Sequence, residues 1–221
     1  SSNYDITFVD GTFTVDQRDL VITAADQSKD YGDAFSFGGT EFTIAASDAT
    51  TGLVLGETID SATLTSAATA TTANVGNYAI TLSNIVGSNG FTLSNYSITN
   101  NGGTFTVDPR AITVTANNDS KIYGNTYTFD GTEFSLLDKD GDAVLPNGEV
   151  LGTANLSSTG AVNTANAGAY TISHTALADA NGSNGFAAAN YDVTYVDGTL
   201  TVNPRAVTVT ADDQNKIYGN D

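Results

Sequence analysis

Cysteine, methionine and tryptophan are absent from the 221 residues. Without cysteine no disulfide can staple the chain and no thiolate zinc site can form, so its shape must come from packing and hydrogen bonds, with bound ions as a further option. Histidine occurs once, at position 174, and seven basic residues face 25 acidic ones, for a formal charge of -18. A surface that negative repels phosphate backbones and anionic lipid headgroups, which argues against nucleic acid or membrane insertion as partners and suits solubility, salt water or divalent cations. Proline occurs at three positions only, and no apolar run is long enough to span a bilayer.

What is present is repetition. NYDITFVDGTFTVDQRDLVITAADQSKDYG from Asn3 returns as NYSITNNGGTFTVDPRAITVTANNDSKIYG from Asn95 and as NYDVTYVDGTLTVNPRAVTVTADDQNKIYG from Asn190. Offsets of 92 and 95 residues are the size of a small domain, so whole domains recur rather than solenoid rungs. The expected division is a preceding repeat's C-terminal hairpin at 1–17, complete modules at 18–109 and 110–204, and a following repeat's first strand at 205–221. An alternative phase puts the boundaries nearer Asn3, Asn95 and Asn190. The two modules align without a gap from Arg18 to Tyr78, and the second needs three extra residues between Tyr170 and Ser183, which predicts a loop there. A slice that starts and stops within repeats says nothing of a leader or anchor elsewhere.

Six of the seven basic residues fall at two recurring positions, Arg18, Arg110 and Arg205, and Lys29, Lys121 and Lys216; only Lys139 lies outside the scheme. Such placement implies fixed roles. An arginine just after a junction proline suits a bidentate carboxylate clamp that sets the angle between neighbouring domains, with a weak surface ion pair as the alternative.

The segments alternate apolar and hydroxyl residues with period two, which predicts strands throughout. Ile112 and Val114 share one face, and Ala111, Thr113 and Thr115 the other. The dipeptides Asp10-Gly11, Gly102-Gly103 and Asp197-Gly198 predict tight hairpins, and Pro109 and Pro204 mark stiff passages between modules, with Gln17 at the equivalent place. Asn-x-Gly-x-Tyr, at Asn74-Gly76-Tyr78 and Asn166-Gly168-Tyr170, suggests the corner before a core strand of an immunoglobulin-like sandwich, in which a tyrosine hydroxyl bonds back to nearby main chain. The fold class is therefore all-β, with tandem immunoglobulin-like β-sandwich modules in an elongated rod. A β-grasp-like module, with a short helix in the Ser/Thr/Ala stretch from Ser61 to Asn74, is the alternative.

SKDYGD, SKIYGN and NKIYGN, the NxGxY corner and the closing NYxIT…GT(F/L)TV(D/N)PR together resemble the MBG and YDG-type repeats of large bacterial secreted adhesins, over essentially the whole chain. The resemblance implies an extracellular, cell-surface location and a stalk or extender role, often in proteins tied to attachment or biofilm formation. It implies no ligand and no active-site residues.

The sharpest chemical motif is DKDGDAVLPNGE, from Asp138 to Glu149. Its acids stand where an EF-hand loop places calcium ligands, so Asp138, Asp140, Asp142, the Val144 carbonyl and a bidentate Glu149 are candidates for Ca2+. Ala143 replaces the turn glycine, Pro146 sits at position nine, no helices flank the loop, and a plain turn on Asp140-Gly141 accounts for the same residues. The first module keeps only Asp48 and Glu57 at equivalent places. Junction acids, Asp16, Asp19 and Asp26 or Asp108 with Asp119, offer a second route to calcium that competes with ordinary turn bonding. A lysine-asparagine isopeptide bond, with Lys29 and Lys121, Asn95 and Asn190, and Glu41 and Glu133 as the recurring parts, competes with a lysine whose stem lies along apolar surface.

Enzyme function lacks parts: there is no cysteine, no phosphate-binding glycine loop, and His174 has no counterpart in the first module. The expected function is a structural spacer that holds a distal binding region away from the cell, acting as a monomer whose partners are its neighbouring repeats. The alternative is a calcium-dependent module that itself grips a glycan or surface protein.

Overall fold

The computed structural model describes residues 3–219, and their regular structure is all-β, the helical part being six single 3-10 turns. The chain divides into two compact units, Ser1–Pro109 and Arg110–Asp221. The first contains β1 (Arg18–Ala24), β2 (Gln27–Asp30), β3 (Phe42–Ile44), β4 (Thr58–Thr65), β5 (Gly76–Ser88), β6 (Tyr96–Asn101) and β7 (Gly103–Asp108). They form two sheets, ordered β3-β1-β6 and β2-β7-β5-β4. The second unit contains β8 (Arg110–Ala116), β9 (Asp119–Ile122), β10 (Phe134–Asp138), β11 (Val150–Leu151), β12 (Leu156–Ser157), β13 (Gly168–His174), β14 (Gly182–Ser183), β15 (Tyr191–Val196) and β16 (Gly198–Asn203). Its sheets β10-β8-β15 and β12-β13-β16-β9 repeat the first plan, and β11-β14 adds a short ladder.

The period-two pattern places the core as expected. Along β8, Ile112, Val114 and Ala116 are buried while Ala111 is exposed; Leu20, Ile22 and Ala24 repeat this in β1. Ala116 from one sheet packs with Ile172 and Leu200 from the other, and Tyr127 and Phe129 close the side of that cluster. In the first unit Phe105 is fully buried and meets Phe35 edge-on at 4.7 Å between ring centroids. Each such aliphatic or aromatic side chain contributes about 1.5–3 kcal/mol on burial, so a core of this size can hold a module without disulfides.

The first and last strands of each unit run parallel. β1 pairs with β6 from Arg18↔Tyr96 to Thr23↔Asn101, and β2 with β7 from Gln27↔Phe105 to Asp30↔Asp108. In the second unit β8 pairs with β15 and β9 with β16 in the same sense. Each terminal segment therefore steps from one sheet to the other part-way along its length. Asp26 fills the step by accepting the Thr104 N–H at 2.7 Å, and Asn118 does the same for Thr199 at 2.7 Å.

This topology corrects the hairpins expected at Gly102-Gly103 and Asp197-Gly198. β6 and β7 lie in different sheets and do not pair, nor do β15 and β16. The dipeptide signal is local, whereas the parallel partner lies some 78 residues away in sequence. Glycine is needed at the step for close approach. A Cβ on Gly103 would lie 2.8 Å from the Ala24 carbonyl oxygen, and one on Gly198 would lie 2.6 Å from that of Ala116. Residues 4–17, including Asp10-Gly11, form no ladder, and neither do 205–217. Their sequence equivalents pair only with strands of their own module. Residues 1–2 and 220–221 of these flanking segments lie outside the described residues.

The corner motif forms as expected. The Tyr78 hydroxyl donates to the Asn74 carbonyl at 2.8 Å and Tyr170 to Asn166 at 3.0 Å, with Gly76 and Gly168 at φ 148° and 155°. Ser61 to Thr65 is strand, followed by a single 3-10 turn at Ala67–Thr69 that Ser66 caps, so the helix of the β-grasp-like alternative is not there. The three-residue insertion lies in the loop between β13 and β14. It is anchored by buried Asn181, which bonds Thr153 Oγ1 at 3.1 Å and Asn155 Oδ1 at 3.2 Å.

Candidate functional site

The recurring basic residues pin the ends of the first strand pair. At its far end Lys29 is buried and donates to the Asp33 carbonyl at 2.8 Å and the Ala70 carbonyl at 2.6 Å. Lys121 repeats this on Asn125, at 2.9 Å, and on Val162. The Tyr-Gly-x turn is thereby stitched to the connection between β4 and β5, and in the second module to that between β12 and β13. Burial holds the Lys29 ammonium below its ordinary range, with Asp33 working in the opposite direction. The isopeptide parts have other engagements: Glu41 accepts the N–H groups of Gly38, Gly39 and Thr40, and Glu133 those of Asp130 and Gly131. The Gly38 N–H bond is the main reason the Glu41 carboxyl lies below its usual range.

At the near end the two arginines diverge. Arg18 donates to four loop carbonyls, those of Asp48, Ala49, Thr51 and Gly52, at 2.5–3.1 Å. Arg110 instead places Nη2 2.6 Å from Asp138 Oδ2 and 2.5 Å from Asp140 Oδ2, with Nε on the same Asp138 oxygen at 3.1 Å. A carboxylate clamp is present at Arg110, but both of its partners belong to Arg110's own module, so these bonds do not perform the expected role of setting the angle between neighbouring domains. The cause of the divergence is local, since the first module has Ala46 where the second has Asp138.

The acidic loop is thus organised around a guanidinium. Asp138 and Arg110 are buried, and Asp138 Oδ1 accepts the N–H groups of Asp140 at 2.9 Å and Asp142 at 3.0 Å. Desolvation pushes the Asp138 carboxyl up, but the Arg110 bonds and those two amides outweigh it and hold the group below its ordinary range. Glu149 is buried elsewhere, accepting the Tyr191 hydroxyl at 2.6 Å. It helps line a recess of about 310 Å³ whose other walls are apolar, including Phe134, Leu136, Leu145 and Leu151. Val144 is exposed. Among the described residues no group of three or more Asp, Glu or His side chains is arranged to hold a metal ion.

Sequence reasoning missed the pairing of Glu149 with Tyr191, although the signal was available. Glu57 stands at the equivalent place and accepts from Tyr96, and both tyrosines open the NYxIT motif. Phe91 and Phe186 stack on these tyrosines at 5.4 Å and 5.3 Å, completing a repeated polar-aromatic unit.

Two of the junction acids are engaged within their own modules. Asp26 bridges the strand step, and Asp119 accepts from Ser120 N–H at 2.6 Å and the Tyr127 hydroxyl at 2.5 Å. Asp48, with two main-chain N–H bonds at 2.7 Å from Thr50 and Thr51, is held down to about 2. His174 lies with Nε2 3.1 Å from the Val196 carbonyl and its ring against Tyr195.

What recurs is scaffold: the lysine stitch, the tyrosine corner, the Tyr-Glu pair and the stepped parallel strands. The family model of the MBG domain (YGX type) matches this repeated part twice, at residues 20–106 and 112–201. The chain belongs to the MBG domain family. Tyr31-Gly32-Asp33 and Tyr123-Gly124-Asn125 are the turns to which Lys29 and Lys121 are bonded in its two MBG modules. No curated protein and no solved structure matches the chain. No helix among the described residues is long and apolar enough to cross a membrane.

Calcium at the second MBG module's loop would have to displace Arg110 from both Asp138 and Asp140. Millimolar Ca2+ added after chelation is therefore expected to move the melting temperature by no more than about 1 °C, since only a ligand of the native state raises it. A Ca2+-specific rise that Mg2+ does not reproduce and Asp140→Ala abolishes would place the ion in the loop.

Proposed function

We propose that these MBG modules are spacers in the stalk of a bacterial cell-surface adhesin, holding a distal binding region away from the cell. One observation carries the reading: because the first and last strands of a module are parallel, the chain enters beside Arg18 and Tyr96 and leaves beside Asp30 and Asp108, at the opposite pole. At about 3.3 Å per residue, the 13 positions from Arg18 to Asp30 advance the chain by about 40 Å per module. A module whose termini met at one pole would add mass without reach. The repeated polar contacts serve the scaffold, which a spacer requires and a ligand pocket does not. The acidity keeps long arrays soluble and apart.

Small-angle scattering on chains of two, four and six modules tests this directly. The maximum dimension is expected to grow linearly, by about 40 Å per module. Growth close to the cube root of mass would overturn the spacer. A glycan-array or surface-protein signal removed by Asp140→Ala would favour the binding module instead.

A further inference from the structure

We infer that each module is a force-bearing clamp as well as a spacer, its terminal strands locked so that tension along the chain loads their hydrogen bonds together. The inference rests on the spacer reading for its biological setting, but its mechanics follow from topology alone. Tension enters a module at the start of β1 and leaves at the end of β7. β1-β2 and β6-β7 are parallel neighbours over six register pairs and then four, so the two ends pull these strands past each other along their length. The inter-strand bonds lie across that direction, and sliding must break many of them at once. Were the terminal strands antiparallel neighbours, the same tension would act at one end of the ladder and open it bond by bond.

Side chains hold the first of these strands at three places, and at one of them bind it to its partner. Arg18 ties the start of β1 to the 48–52 loop, Asp26 ties the step to Thr104, and Lys29 ties the end of β2 to the Asp33 and Ala70 carbonyls. Arg110, Asn118 and Lys121 occupy the same three places in the second module, with the acidic loop as the first anchor. Four of the chain's seven basic residues are spent on these locks, at the two poles where the load arrives. The hydrophobic core needs none of them. Their recurrence is explained if the first strand must resist being drawn out.

The absence of cysteine makes the test clean, because introduced cysteines are the sole attachment points. In the full chain, Gln17→Cys with Pro109→Cys pulls the first module through both poles. Gln17→Cys with Ser94→Cys pulls β1 and β6 apart from one pole, where Gln17 and Ser94 are in hydrogen-bond contact. Single-molecule unfolding is expected to need a severalfold higher force in the first geometry, releasing about 300 Å of contour. Lys29→Met, which removes both carbonyl contacts, is expected to lower that force and leave the one-pole force unchanged. Equal forces in the two geometries would overturn the clamp, and that ratio decides the matter whether or not Lys29→Met folds. Equal forces would leave the spacer intact, since linear growth in scattering is independent of them; compact growth with a high force ratio would remove the spacer and leave the clamp.

Discussion

Arg110→Ala is expected to destabilise the second module by about 3–5 kcal/mol, because it strands the buried Asp138 carboxylate without its cation. For a domain of this size that corresponds to a fall in melting temperature of about 15–30 °C. The side chains of Arg110 and Asp138 are only 7% and 2% exposed, so water cannot take over the bonds; Asp140, half exposed, simply returns to solvent. Arg18→Ala in the first module is expected to cost less, about 1–2 kcal/mol, since it strands no buried charge and two of the four carbonyls it releases, those of Asp48 and Ala49, are exposed to water. Calorimetry on the two variants should therefore move different transitions by unequal amounts. Arg110→Met with Asp138→Asn is expected to recover part of the loss, because asparagine keeps an acceptor for the Asp140 and Asp142 amides and carries no charge. Equal, small effects from the two arginines would mean that the clamp is ordinary surface pairing.

Much of the fold was legible because its signals are local and repeated. Alternation in RAITVTA assigns Ile112 and Val114 to the core, and NxGxY announces a turn followed by a tyrosine whose hydroxyl must find a carbonyl. The three-residue insertion had to be a loop, since neighbouring segments align without gaps. What was not legible depends on partners far away in sequence. Gly102-Gly103 looks like a hairpin to any rule that reads neighbours, yet its neighbours in space are β1 and β5. Asp138 to Glu149 has the spacing of a calcium loop, but spacing does not reveal that Arg110, 28 residues before Asp138, reaches its first acids or that Tyr191 takes its last. The useful comparison was internal. Glu57 and Glu149 recur while Asp138 does not, and the structure gives the recurring acid a shared structural partner and the singular one a partner of its own.

The step between sheets yields the second large effect. Gly198→Ala is expected to cost about 3 kcal/mol, at the upper end of what overpacking a tight site does. The added methyl would sit 2.6 Å from the Ala116 carbonyl oxygen and 3.0 Å from that of Asn117. Both are main-chain atoms, the first at the end of β8 and the second in the step that follows it, so neither can turn aside as a flexible side chain would. Moving β16 away instead would loosen its pairing with β13, in which Gly198 is opposite Ile172, a residue at the centre of the core. Gly152→Ala is the control, because its Cβ would meet only the Asn181 carbonyl at an ordinary 3.6 Å. That variant is expected to change stability by less than about 0.5 kcal/mol. Urea unfolding of both decides whether glycine at the step serves close approach or merely turn preference. If turn preference governed, Gly198→Asn would be tolerated, since asparagine is the usual substitute where a positive φ is wanted. If close approach governs, asparagine is worse than alanine, because it brings a longer side chain to the same carbonyl. The second order is expected, and with it the terminal strands lose the contact that lets them cross together from one sheet to the other.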